Sequence, residues 1–166
     1  MTLISDNYRK VQERIAAVCA RVGRNPESVT LVVVTKMQSV EKVLQVLEAG
    51  ATHLGENYPE ETDSKIREMG EIARVNWHMI GHIQSRKIKF IVKHFSFVHS
   101  IDRVEIAEKL SAACVAASIK MPVLLEVNIA REESKFGFVT GNSGKGIELA
   151  DQIGRLATLP GIEMRG

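Results

Sequence analysis

The sequence predicts an α/β domain built from repeated strand–helix units. Three observations carry that expectation. Short apolar, β-branched runs recur at intervals of roughly 20 to 35 residues. Each is followed by a stretch whose apolar residues return at steps of three and four. No segment between them reads as a linker or as low complexity. At 166 residues, one domain with a substantial core is the natural reading.

The elements follow in order. From Ser5 to Val22, the residues Tyr8, Val11, Ile15, Val18, Cys19 and Val22 form one apolar face, and Gly23 ends that helix. Thr30 to Val34 is too short for a helix and lacks polar alternation, so it reads as a strand buried on both faces. Ser39 is placed to cap a helix carrying Val40, Val43, Leu44 and Leu47, with Gly50 as its terminator. The pattern repeats with a strand at His53 to Glu56 and a helix at Glu60 to Met69, then a strand at Trp77 to Gly81 and a helix at Gln84 to Lys93. Phe97 to Ile101 opens the next unit, whose helix is expected to start with a capping box formed by Asp102 and Glu105. Met121 to Ile129 is a further strand. A Gly-rich loop, a helix through Ile147, Ala150, Ile153 and Leu156, and a sixth apolar start at Ile162 complete the chain.

Periodicity alone allows an open doubly wound sheet or a closed barrel, since both use right-handed βα units. No G-x-G-x-x-G follows the first strand, which disfavours the dinucleotide-binding version and leaves the barrel preferred.

Charge narrows the partners. Lysines and arginines nearly balance the acids to a net +2 and are spread along the chain, so no polybasic or acidic block points to nucleic acid or a membrane. Cys19 and Cys114 both sit in helix-like apolar patterns, as reduced core thiols do. Residues 1 to 10 contain no apolar signal core, and nothing approaches the roughly 18 apolar residues of a membrane span. A soluble, cytoplasmic protein is expected.

Lys36 lies just past the first strand, at the end where both α/β architectures put their functional groups. Alternation places Val32, Val34 and Lys36 on one face. A lysine partly desolvated at a barrel mouth would offer neutral amine to a carbonyl, which favours imine formation; the plainer reading is a strand-end lysine in solvent. Asn57 follows the second strand and reads equally as a ligand-facing amide or a helix cap. His78 and His82 have a four-residue spacing, but zinc pairs with that spacing sit on helices with an intervening Glu, and this segment reads as a strand running into a turn. No metal is expected. His78 is instead a candidate for stacking on or bonding a ligand, or else a core histidine. Arg86, Lys87, Lys89 and Lys93 on one helix invite a phosphate or RNA reading, though such runs are usually solvated faces. The polar loop from Asn128 to Gly137 lies at the functional end, and Gly141 to Gly146 lacks the spacing of a phosphate loop.

Taken together, Val34-Thr35-Lys36, Gly55-Glu56-Asn57-Tyr58, Trp77-His78-Met79-Ile80-Gly81-His82-Ile83-Gln84-Ser85, His99-Ser100-Ile101-Asp102-Arg103 and Glu133-Ser134-Lys135-Phe136-Gly137 resemble one family. It is the pyridoxal-phosphate homeostasis proteins, whose (β/α)8 TIM-type barrel is similar to the N-terminal domain of alanine racemase. The resemblance implies that Lys36 carries pyridoxal 5'-phosphate (PLP) as a Schiff base, with Asn57 and His78 in the motifs around it. It implies PLP homeostasis without established catalysis, with PLP-dependent apoenzymes as recipients. Family members continue through two further βα units with a Ser- and Gly-rich phosphate-binding segment and an arginine facing the pyridine nitrogen. The resemblance therefore implies that residues 1–166 are a single barrel domain represented by about its first six strands. A PLP-dependent amino-acid racemase, a Schiff-base aldolase, and a phosphate- or RNA-binding module are the alternatives. No second catalytic base can be placed, which favours the carrier.

Overall fold

The structure, a computed structural model, describes residues 2–70, 75–132, 134–139 and 145–166. Helix α1 (Leu3–Val22) begins at Thr2, whose hydroxyl accepts the Ser5 N–H while the Ser5 hydroxyl accepts the Thr2 N–H, and it ends at Gly23 with φ 67°. Then come β1 (Val33–Val34), α2 (Val40–Glu48), β2 (His53–Glu56), α3 (Pro59–Met69), β3 (Asn76–Met79), α4 (Ile88–His94), β4 (Phe95–Ile101), α5 (Val104–Ala116) and β5 (Met121–Leu125). The short strands β6 (Val127–Asn128) and β7 (Phe138–Val139) pair with each other, and α6 (Lys145–Ala157) and β8 (Ile162–Met164) follow.

The main sheet has the order β1-β2-β3-β4-β5-β8, and every pair is parallel. Consecutive strands are neighbours and helices make the crossovers, the arrangement from which a (β/α) barrel is built. One face carries Leu54, Trp77, Met79, Val98 and Val123 into a core with Val43, Val46, Ile88, Ile91, Ile106 and Leu110 from the helices. All of these are almost wholly buried.

The opposite, inner face is organised in rows by the sheet register. Val34, Gly55, His78 and Phe97 stand across β1 to β4 in one row. The row beneath contains His53 opposite Asn76. Two residues further along each segment lie Lys36, Asn57 and Ile80, just past the ends of β1 to β3, and His99, still within β4. Gly55 leaves room for its neighbours: a Cβ there would stand 3.0 Å from Ile80 Cδ1 and 3.2 Å from Val32 Cγ1, so either side chain would have to give way. That closeness puts Val32 on the inner face, as alternation from Lys36 requires.

Several expected boundaries change. The expected helix from Gln84 is a 3₁₀ turn at Ser85–Lys87 before α4. The run from Met121 to Ile129 divides between β5 and β6. Ser39 is the N-cap of α2 but its hydroxyl makes no capping bond. The capping box at Asp102 does not form: Arg103 is the N-cap of α5, Asp102 turns to Arg103 and His82, and Glu105 pairs with Lys109. The adjacent guanidinium takes that carboxylate in two hydrogen bonds, and the His82 ring is brought against it by tertiary contact, so it does not turn to the backbone N–H groups of α5. Both cysteines are buried free thiols, and burial pushes Cys114 up to about 11. Residues 141–144 of the Gly-rich segment, and 133 of the preceding loop, lie outside the described residues.

Candidate functional site at the strand C-termini

The turn that bears Lys36 is anchored from behind. Thr35 is buried, and its N–H donates to the Gly55 carbonyl at 3.0 Å, extending the β1–β2 ladder. Its hydroxyl donates to Glu56 Oε1 at 2.8 Å, and Lys65 Nζ from α3 donates both to that oxygen at 2.5 Å and to the Thr35 carbonyl at 2.8 Å. Glu56 is 0 % exposed and Lys65 8 %, so this is a buried ion pair whose geometry fixes the backbone next to Lys36. Met37 follows in the left-handed region at φ 59°, and the Gln38 N–H closes the turn on the Thr35 carbonyl at 3.1 Å. Lys36 itself is exposed. The desolvation expected at a barrel mouth is thus not supplied by the described residues, because β1 has a strand partner on one side only.

Asn57 is half-buried directly after β2. It is not a helix cap, since Tyr58 holds that position in α3. Its backbone is approached so closely by the β3 turn that a Cβ on Gly81 would lie 2.7 Å from both Asn57 Cα and its carbonyl oxygen. Ser100 holds Gly81 there, its hydroxyl donating to the Gly81 carbonyl at 2.6 Å. Beside Asn57 opens a recess of about 390 Å³ lined also by Tyr58, His82, Gln84, Arg86 and Lys87. The His82 ring lies 2.8 Å from Asp102 Oδ2 and stacks on Phe136 with centroids 3.7 Å apart.

His78 has both ring nitrogens engaged. Nε2 meets His53 Nδ1 at 2.8 Å, and Nδ1 meets His99 Nε2 at 2.8 Å. Phe97 stacks on the same ring at 5.6 Å. Burial first, then the neighbouring His99 and His53, lower its pKa to about 4; burial also lowers His99. The His78 ring is therefore neutral at physiological pH, and burial favours the neutral form of His99 as well.

The structure brings Lys36 and Asn57 into one row at the sheet's C-terminal edge, with His78 one row below, reaching that level through His99. It separates His78, bonded to His53 and His99, from His82, which lies against Asp102 and Phe136. Three of the four basic residues on the Arg86 to Lys93 stretch have local partners: Arg86 bonds Gln84, Lys87 pairs with Glu60, and Lys93 with Asp63. Sequence reasoning missed His53 and His99 as companions of His78, and Glu56 and Lys65 as the anchor behind Lys36. A signal existed for the first set, since each of three successive strands carries one histidine on its inner-facing parity.

Parallel strands that deliver a lysine, an amide and a histidine chain toward one end define a lysine-bearing α/β barrel domain. The family model described as alanine racemase, N-terminal domain, matches residues 4–166, and the chain belongs to that family. The pyridoxal phosphate homeostasis protein of Vibrio alginolyticus is 37% identical over 169 residues, which span 100% of this chain and 70% of that one. The protein of the same description from Escherichia coli K12 is 34% identical over 168 residues, 100% of this chain and 69% of that one. Among solved structures, PipY of Synechococcus elongatus with PLP bound superposes with a TM-score of 0.75 at 26% identity, covering 94% of this chain and 68% of that one.

Proposed function

We propose that this chain binds pyridoxal 5'-phosphate through a covalent bond to Lys36 and serves PLP homeostasis, holding the cofactor rather than turning over an amino acid. The observation that carries the reading is the row Lys36, Asn57, Ile80, His99 at the C-terminal edge of a parallel sheet, with Lys36 on an anchored turn. PLP supplies an aldehyde that an amine can capture and a ring that withdraws electrons.

The residues present fit that group. The Lys36 amine is accessible, and the Thr35–Glu56–Lys65 network holds its backbone so that little ordering is needed when the amine engages. The Asn57 amide stands in the same row and can bond a polar ring substituent. His78 acts from beneath: with both nitrogens committed, it orients His99 rather than bonding the ligand itself. Among the described residues no helix is long and apolar enough to cross a membrane, and we take the cytoplasm as the site of action and PLP-dependent apoenzymes as recipients. The relatives named as PLP homeostasis proteins and the PLP-bound PipY support this reading, and no observation favours racemase, aldolase or RNA-binding alternatives.

Borohydride reduction of the full-length protein loaded with PLP, followed by peptide mapping, tests the assignment. The label is expected on Lys36, and Lys36→Ala should abolish the visible absorbance of the bound cofactor. A label confined to any other lysine, the nearby Lys65 included, would overturn it. Incubation with D- and L-amino acids should produce no interconversion.

A further inference from the structure

Three histidines on three adjacent strands form a continuous hydrogen-bonded chain through the inner face of the sheet. His53 lies in the lowest row, His78 one row higher on the next strand, and His99 one row higher again on the strand after that. Both links measure 2.8 Å, and successive ring centroids are 5.1 Å apart. At its lower end, His53 borders a recess of about 400 Å³ lined by Tyr8, Gln12, Glu27 and Thr52. At its upper end, His99 shares the row of Lys36.

We propose that His53, His78 and His99 are a proton relay between the N-terminal end of the barrel and the mouth that holds Lys36. The proposal rests on Lys36 as the attachment point. With one ring proton on each imidazole, the two links use two of the three, so the rings must share one direction. In the first direction His53 Nδ1–H donates to His78, His78 Nδ1–H donates to His99, and His99 Nδ1–H is free at the mouth. A proton arriving at His53 Nε2 then shifts each linking proton one ring onward and releases the Nδ1 proton of His99. The chain is left in the opposite direction, with His53 Nε2–H at the bottom and a lone pair on His99 Nδ1. A proton taken up at His99 reverses every step. The balance matches the chemistry at Lys36: an ammonium that forms a neutral imine with an aldehyde would release one proton and lose its other two hydrogens with the aldehyde oxygen as water, and hydrolysis would take up that water and that proton again. The relay alternates between its two states with no ring rotation.

The surroundings suit transfer. Phe97 packs against both His78 and His99, with centroids 5.6 and 4.7 Å away. Among the described residues, both ring nitrogens of His78 go to other imidazoles, those of His53 and His99. Glu27, on the 3₁₀ turn before β1, is the one carboxylate among the described residues that line the lower recess, which Tyr8 and Gln12 of α1 also line. No carboxylate among the described residues is therefore bonded to the middle ring, where it would trap the proton.

A relay catalyses binding without changing its equilibrium, and this separates it from a structural role. His53→Gln retains an amide that can bond His78 but has no second titratable nitrogen. In the full-length protein, association and release of PLP at Lys36, followed by absorbance, should both slow by the same factor, at least about tenfold. The amount bound at equilibrium should stay unchanged, and added imidazole should restore the rates. Long-range nitrogen–proton NMR of the protein without PLP should show all three rings in the same tautomeric sense. Unchanged rates in His53→Gln, a shifted equilibrium without a common rate factor, or opposed tautomers would each overturn the proposal. Should the variant not fold, rates of the natural protein in H₂O/D₂O mixtures decide: a curved dependence reports several protons in flight, and a linear one rejects the relay. Failure of the Lys36 assignment would show separately, as a visible band that survives Lys36→Ala.

Discussion

Removing the charge of Glu56 while keeping its shape is the sharpest test of how the lysine turn is held. Glu56→Gln leaves an oxygen able to accept from Lys65 and Thr35, so the geometry survives and the lost quantity is charge compensation. Lys65 then sits 8 % exposed with only a carbonyl and a neutral amide around its ammonium. Breaking a buried ion pair by removing one partner costs about 3–5 kcal/mol. A lysine can extend its amine toward water, which places Glu56→Gln near the lower figure, about 3 kcal/mol. For a domain of this size that lowers Tm by roughly 6–12 °C. Lys65→Met should cost more, because the carboxylate it strands is 0 % exposed and its second oxygen, Oε2, has no partner among the described residues. The double variant Glu56→Gln/Lys65→Met should fall short of the sum of the two by at least about 2 kcal/mol, since neither charge is left unpaired. Denaturant unfolding of the full-length protein, followed by circular dichroism and by Trp77 fluorescence, measures all three. Single losses below about 1 kcal/mol, the range of an exposed pair such as Lys109–Glu105, or additivity within about 0.5 kcal/mol, would refute the anchoring argument.

Two further outcomes are expected. Because the His78 pKa is lowered from 6.5 to about 4, the unfolded chain takes that proton first; the stability of the neutral ring is complete above pH 6.5 and is lost as pH falls toward 4, amounting to about 3 kcal/mol. His94 and His99, both held down first by burial, add in the same sense, so unfolding free energies measured at pH 7, 5.5 and 4.5 should decline, and His78→Phe should flatten the slope. Gly81→Ala, whose Cβ would strike Asn57 backbone at 2.7 Å, should cost about 1–3 kcal/mol and weaken PLP retention by displacing Asn57. Unchanged retention in a folded Gly81→Ala protein would remove Asn57 from the site.

The order of strands and helices, the parallel sheet and the position of Lys36 were legible in the chain because each depends on local periodicity: apolar runs too short for helices, three-and-four repeats after them, and a lysine two residues past an apolar run, although that first strand, expected to be buried on both faces, leaves Val34 exposed at the sheet edge. Asp102 shows where that logic ends. Its spacing to Glu105 reads as a capping box, yet its carboxylate goes to Arg103 and His82, and no local pattern says that the loop carrying His82 will arrive there. The same holds for the buried anchor, in which residues 35, 56 and 65 meet only after α3 has folded back against the β1–β2 edge. His78 is the clearest instance. The sequence places it on the inner face of β3, but its partners follow from the stagger of neighbouring strands, which sets His53 one row below and His99 one row above. Parity along a strand is a property of one segment. Register between strands is decided by the packing of the whole sheet, and the histidine chain exists only at that level.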